Sequence, residues 1–129
     1  MKEYSVEEIR ALADKNWSEA KLQKTVHAAL KTFGWRYIHL RPAYTGVKWK
    51  AGAHAGKDMV ITAYDGQDGF PDTVAMKGRA GIAWELKVGK NKPTEGQLEW
   101  LRLFKLNGFD ARVCYPRDLE AMLQYLRDA

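Results

Sequence analysis

The stretch Gly69-Phe70-Pro71-Asp72-Thr73-Val74-Ala75-Met76-Lys77-Gly78-Arg79-Ala80-Gly81-Ile82-Ala83-Trp84-Glu85-Leu86-Lys87-Val88 decides the fold. It reads as two strands, residues 73–77 and 82–88, joined by the turn Gly78-Arg79-Ala80-Gly81. Strand alternation puts Ile82, Trp84, Leu86 and Val88 on one face and Ala83, Glu85 and Lys87 on the other. A carboxylate and an ammonium in an otherwise apolar strand require a polar partner or a functional site. If the two strands pair as a hairpin, Asp72 and Glu85 converge near its open end. Two hard oxygen ligands there suit Mg²⁺ or Mn²⁺. Glu-x-Lys alone is unspecific, since Glu19-Ala20-Lys21 repeats it. The signal is its context: Pro-Asp before one strand, Glu-x-Lys in the next and a helix directly after. The competing reading is a surface ion pair on an edge strand, against which the apolar flanks argue.

Working outward, Ser5-Val6-Glu7-Glu8 reads as a capping box opening a first helix that ends near Lys15. Ser18 caps a second helix with the apolar stripe Leu22, Val26, Ala29, Leu30 and Phe33, stopped by Gly34. Residues 35–40 read as a strand closed by Arg41-Pro42. From Ala43 to Phe70 the chain is glycine-rich; a strand is expected only within 57–64, and the rest reads as a long loop. Thr94-Glu95-Gly96-Gln97 resembles another capping box, opening a helix that ends at Gly108. Residues 111–115 form a short strand, and 118–127 a last helix. The expected order is α-α-β-β-β-α-β-α, one α/β domain over 1–129 with residues 1–17 as a helical extension.

At 129 residues the chain has room for one core. No apolar run reaches the roughly 20 residues of a membrane span, and the first residues lack a signal-peptide pattern. The one cysteine, Cys114, excludes an internal disulfide framework or a zinc site of cysteine pairs, fits a reducing cytoplasm and reads as a core residue. The two serines, Ser5 and Ser18, both fall at expected caps, so a serine-nucleophile enzyme is not indicated. The net charge is +5, and from Ala20 through Lys57 there are eight Lys or Arg and no Asp or Glu. Phe33, Trp35, Tyr37, Tyr44 and Trp49 are interleaved with them. Such a segment suits a polyanion through counterion release and base stacking. The alternative is a solvated basic surface over buried aromatics.

Glu19, Gln23 and His27 stand at i, i+4 and i+8, one polar line bordering the apolar stripe of the second helix. Glu19 is either a first-turn carboxylate favoured by the helix dipole or a third carboxylate facing the metal, directly or through water. Gln97 is either the capping-box partner of Thr94 or a polar contact to the active site, and both can hold at once. His27, His39 and His54 are scattered and are not read as a metal set.

Taken together, Ser18-Glu19-x-x-Leu22-Gln23, Gly34-Trp35, His39-x-Arg41-Pro42, Gly69-Phe70-Pro71-Asp72, Glu85-Leu86-Lys87 and Gln97-x-x-Trp100-Leu101 resemble the VRR-NUC branch of the PD-(D/E)XK nucleases. The resemblance runs from Ser18 to the last helix, with the motifs in family order. It implies a restriction-endonuclease-like core, a mixed sheet flanked by helices. Asp72, Glu85 and the Leu86 backbone carbonyl would bind Mg²⁺ or Mn²⁺; Lys87 would address the attacking water; Glu19 and Gln97 would complete the site. The implied activity is hydrolysis of DNA phosphodiesters, with branched, junction or duplex DNA as substrate and a homodimer as one form of the enzyme. Standalone proteins of this kind are similar to phage and bacterial enzymes, including Holliday-junction resolvases, which implies a bacterial or host cytoplasm. Arg41, Lys48, Lys50, Lys57 and Gln23 are the expected nucleic-acid contacts. The long stretch between Pro42 and Gly69 departs from the compact family pattern. The rival readings are a non-catalytic DNA-binding module on the same fold and an RNA-processing nuclease.

Overall fold

The computed structural model describes residues 3–9, 15–40, 43–48, 50–53, 55–56, 58–61 and 65–129, the stretches 43–48 and 58–61 by their backbone. Of the first expected helix, residues 6–9 are helical, and Ser5 and Glu8 make the reciprocal capping bonds. The rest of that helix falls largely on residues 10–14, which lie outside the described residues.

Helix α1 (Glu19–Thr32) starts where Ser18 Oγ accepts the Lys21 N–H, satisfying a donor that has no partner inside the helix. It ends at Gly34, whose φ of +80° is the left-handed geometry glycine reaches without steric cost. Leu22, Val26, Ala29 and Leu30 form its buried face. Four strands then build one sheet in the order β1 (Arg36–Ile38), β4 (Thr73–Lys77), β5 (Ala80–Leu86), β6 (Asp110–Cys114). β1–β4 and β4–β5 are antiparallel, and β5–β6 is parallel. A parallel pair needs a crossover, and α2 (Glu95–Leu106) supplies it. A short 3₁₀ turn, Pro116–Asp118, leads into α3 (Leu119–Asp128).

Two expectations are corrected. The segment after Pro42 is not a loop with one strand: β2 (Ala43–Lys48) pairs antiparallel with β3 (Asp58–Ile61) in a separate two-stranded sheet. The glycine within β2 lowers its strand signal, and its partner lies across a long connection, so pairing rather than propensity makes the strand. The β4–β5 turn has two residues rather than four, because Lys77 faces Ala80 directly. Gly78 takes the positive φ at the first turn position, +55°, as a two-residue hairpin with one such residue requires.

Central strand β5 is buried from Ile82 to Leu86, so both of its faces are covered and the edge-strand reading fails. Ile82, Trp84 and Leu86 join the α1 stripe, Trp35, Cys114 and the α3 residues Met122 and Leu126 in one core. Burying each large aliphatic of this group contributes about 1.5–3 kcal/mol relative to exposure. The indole N–H of Trp35 donates to the Leu126 carbonyl at 2.9 Å, so the end of α1 is tied to α3. Trp84 donates to Asp110 Oδ2 at 2.9 Å, and Arg112 grips the same carboxylate with two bonds of 2.8 Å. That group pins β5 to β6. Among the described residues no helix is long and apolar enough to cross a membrane.

Candidate active site

Four residues from a short run of chain meet at the end of β5. Asp72 enters β4, and its Oδ2 accepts the backbone N–H of Leu86 at 2.7 Å. Glu85, 2% exposed, lies beside it. Gln97 Nε2 donates to Glu85 Oε1 at 2.9 Å, and Lys87 Nζ stands 3.6 Å from the same oxygen. Gln97 also completes the capping box, its Oε1 accepting the Thr94 N–H and its own N–H donating to Thr94 Oγ1. Both roles expected for Gln97 therefore coexist in one rotamer.

The loop before Asp72 is held against the start of α2. Gly69, at φ +95°, packs so closely that a Cβ there would stand 2.5 Å from the Gln97 nitrogen and the Gly96 carbonyl carbon. The Trp100 indole N–H donates to the Asp68 carbonyl at 3.0 Å, and the Phe70 ring meets Trp100 and Phe104 edge-on. Gly-Phe-Pro-Asp is thus a docking segment that brings Asp72 and Gln97 to Glu85.

Glu85 Oε2 is buried and has no hydrogen-bond partner among the described residues. Leaving such an atom unpaired costs about 1–3 kcal/mol, more when it is charged. Burial, and then the neighbouring Asp72 carboxylate, push the Glu85 carboxyl up to about 8, partly offset by Lys87. With its proton, Glu85 can share it with Asp72; without it, the two carboxylates fit a hard divalent cation, which needs only one or two carboxylates and keeps its remaining ligands as water. Among the described residues no group of three His, Cys, Asp or Glu side chains gathers around it.

Glu19 is exposed, and its Oε1 accepts from Asn91 Nδ2 at 3.4 Å, so its contact is with the loop after β5. The Leu86 N–H donates to Asp72 of the carboxylate pair. Gln23 is half-buried against His39, Nε2 to Nδ1 at 3.2 Å. Lys50 is exposed; Lys48 faces Asp58 by backbone register; Arg41 and Lys57 lie outside the described residues, as does His54.

The polar line on α1 carries partners that its spacing did not announce. His39 Nδ1 meets both the Asp72 carbonyl and Gln23 Nε2; a proton on Nδ1 serves the carbonyl, which only accepts, and the Gln23 amide nitrogen is then a neighbour and not a second bond. His27 Nε2 is 3.1 Å from the hydroxyl of Thr73, a fully buried residue, and its ring lies 5.3 Å from that of His39. Asp72 is thereby held from both flanking strands, by His39 just after β1 and by Leu86 at the end of β5. The only advance signal was the polar line itself and the histidine in His39-x-Arg41-Pro42. No family model, curated protein or solved structure matches the chain.

Proposed function

We propose that this chain is a Mg²⁺- or Mn²⁺-dependent nuclease that hydrolyses DNA phosphodiester bonds on a restriction-endonuclease-like core of the VRR-NUC kind. The reading is carried by the unpaired, buried Glu85 Oε2 beside Asp72, with Lys87 and Gln97 on the same carboxylate. A binding module needs cations, and nothing in phosphate binding calls for two converging carboxylates in a basic chain. Asp72 and Glu85 would hold the ion, which when bound supplies a water nucleophile at neutral pH and neutralises charge on the phosphate. Leu86 N–H fixes the Asp72 carboxylate, and Gln97 fixes that of Glu85, so neither has to be oriented during the reaction. The Lys87 ammonium, 14% exposed, orients the attacking water and offsets negative charge gathering on the phosphoryl oxygens. Water's oxygen bonds to phosphorus, the bond from phosphorus to the leaving sugar oxygen breaks, and the proton that the water gives up to solvent is matched by one that the leaving oxygen takes from it.

Labelled junction, flap, duplex and single-stranded DNA, with an RNA control, incubated with Mg²⁺, Mn²⁺ or EDTA, tests this. Cleavage should need the divalent ion and vanish in Asp72→Ala and Glu85→Ala proteins with unchanged circular dichroism. Undiminished cleavage in EDTA or in both variants overturns the proposal. Cleavage of RNA alone replaces the substrate.

A further inference from the structure

Beyond Lys87 the chain turns into a loop, Gly89-Lys90-Asn91-Lys92, that the carboxylate site does not use. With Tyr115 and Arg117 from the segment after β6, and Glu7 from the N-terminal helical turn, it lines a half-open cavity of about 280 Å³. Three cationic side chains line it against one acid. The cavity is shaped by contacts from three parts of the fold. The Tyr115 hydroxyl donates to the Asn91 carbonyl at 2.8 Å, and Asn91 Nδ2 donates to Glu19 on α1. At the loop's root, the Lys87 N–H donates to the Cys114 carbonyl at 2.9 Å. The Arg117 guanidinium lies 4.1 Å from the centre of the Tyr115 ring, and both residues line the cavity.

Lys90 follows Lys87 by three residues, and three residues of chain span at most about 10 Å. Phosphates on one strand of duplex DNA follow each other by about 3.4 Å along the helix axis. The backbones of Lys87 and Lys90 therefore lie no farther apart than about three nucleotides of axial rise, so a strand held at Lys87 can reach the cavity. We propose that Lys90, Lys92 and Arg117 form a second phosphate site, which holds the polynucleotide backbone beside the cleaved bond. Its contacts are to phosphate and carry no sequence preference. Glu7 occupies the rim with a carboxylate, a like charge that the incoming phosphate has to displace or tolerate. This role belongs to none of the cations in the acid-free stretch 20–57, and it rests on the nuclease reading for its substrate.

The test keeps catalysis silent. Binding of a labelled 12-base-pair duplex is measured in EDTA across a salt series for the whole chain, for Lys90→Gln/Lys92→Gln/Arg117→Gln and for Glu7→Gln. The slope of log affinity against log salt should fall by about 0.9 for each phosphate no longer neutralised, at unchanged melting temperature. Glu7→Gln should bind severalfold more tightly at low salt. Lys90→Gln and Lys92→Gln alone, both at exposed positions, keep the slope measurable if the triple variant does not fold. A slope equal to that of the parent chain overturns the proposal, as does absence of duplex binding. Protection of Lys90 and Lys92 from acetylation by inorganic phosphate but not by duplex assigns the cavity to a free anion and overturns it too. Loss of the slope difference with cleavage intact removes only this site; a retained slope difference without any cleavage in Mg²⁺ removes only the nuclease.

Discussion

Helices α1 and α2 begin alike, each with a hydroxyl cap followed at once by a glutamate: Ser18-Glu19 and Thr94-Glu95. Their first turns nevertheless do different things. At the third position α2 carries Gln97, which closes its own cap and grips Glu85. The same position in α1 is Lys21, whose ammonium lies 4.6 Å from the centre of the Trp17 ring. The start of α2 is fixed against the Gly69 backbone, whereas the first-turn Glu19 of α1 meets, among the described residues, an exposed asparagine. Sharing a capping pattern therefore says little about proximity to a site. Backbone packed on backbone, without intervening side chains, is what turns a helix start into a wall of the carboxylate pair.

Gly69→Ala breaks that packing most severely. Its methyl would overlap backbone atoms at 2.5 Å, and the left-handed geometry alone costs a residue with a side chain about 1–2 kcal/mol. Denaturant unfolding should show destabilisation of about 2–5 kcal/mol, the sum of that backbone strain and an overpacking cost of about 1–3 kcal/mol. Gly34→Ala, where a Cβ meets nothing, should show only the backbone part. Equal effects at the two positions would mean that the loop does not ride on α2.

Gln97→Ala and Thr94→Ala separate the two jobs of one side chain. Losing the Thr94 cap costs about 1 kcal/mol. Losing Gln97 also removes a partner from a buried carboxyl, for about 1–3 kcal/mol, and should slow cleavage at least tenfold more than Thr94→Ala. Matching rates in the two variants would reduce Gln97 to a cap.

The raised Glu85 carboxyl makes the metal-free protein sensitive to pH. Its folded value of about 8 lies above the ordinary 4.5, so between them the folded chain holds a proton that the unfolded chain has lost. Stability from this group is complete below about pH 4.5 and is lost as pH rises through 8. Thermal melts in EDTA should fall over that window relative to Glu85→Gln, and a parallel profile for the two proteins would contradict the assignment. Glu19→Gln should be the mildest change. It removes a helix-dipole charge worth about 0.3–1 kcal/mol and leaves an amide oxygen to accept from Asn91, so cleavage stays near normal; a hundredfold slowing would bring Glu19 into the site.

What could be read in advance was local. Ser18, Thr94, Gly34 and Gly108 mark helix ends through their own chemistry, within four residues of the bonds they serve. Asp72 and Glu85-x-Lys87 were legible because a short hairpin fixes which residues face each other. β2 was not, because its pairing lies across residues 49–57 and shifts register between Tyr44 and Lys48. The bonds of His39 to Asp72 and of His27 to Thr73 cross 33 and 46 residues, and no periodicity encodes where a helix face lands on a sheet. Nor did the four-residue reading of Gly78–Gly81 foresee that Ala80 and Gly81 would be strand. Gly81 there lies under the Phe109 ring, where a Cβ would come within 2.6 Å.

The confinement of Asp72, Glu85, Lys87 and Gln97 to one run of chain also bears on how the molecule acquires its shape. Closing short loops carries little entropic penalty, so hairpin β4–β5 and the start of α2 can assemble before β1 or β6 is recruited from farther away. Folding-rate measurements should then give high φ-values for substitutions in β4, β5 and the first turn of α2, and low ones in β1 and α3. The carboxylate pair would be among the earliest parts of the molecule to reach native geometry.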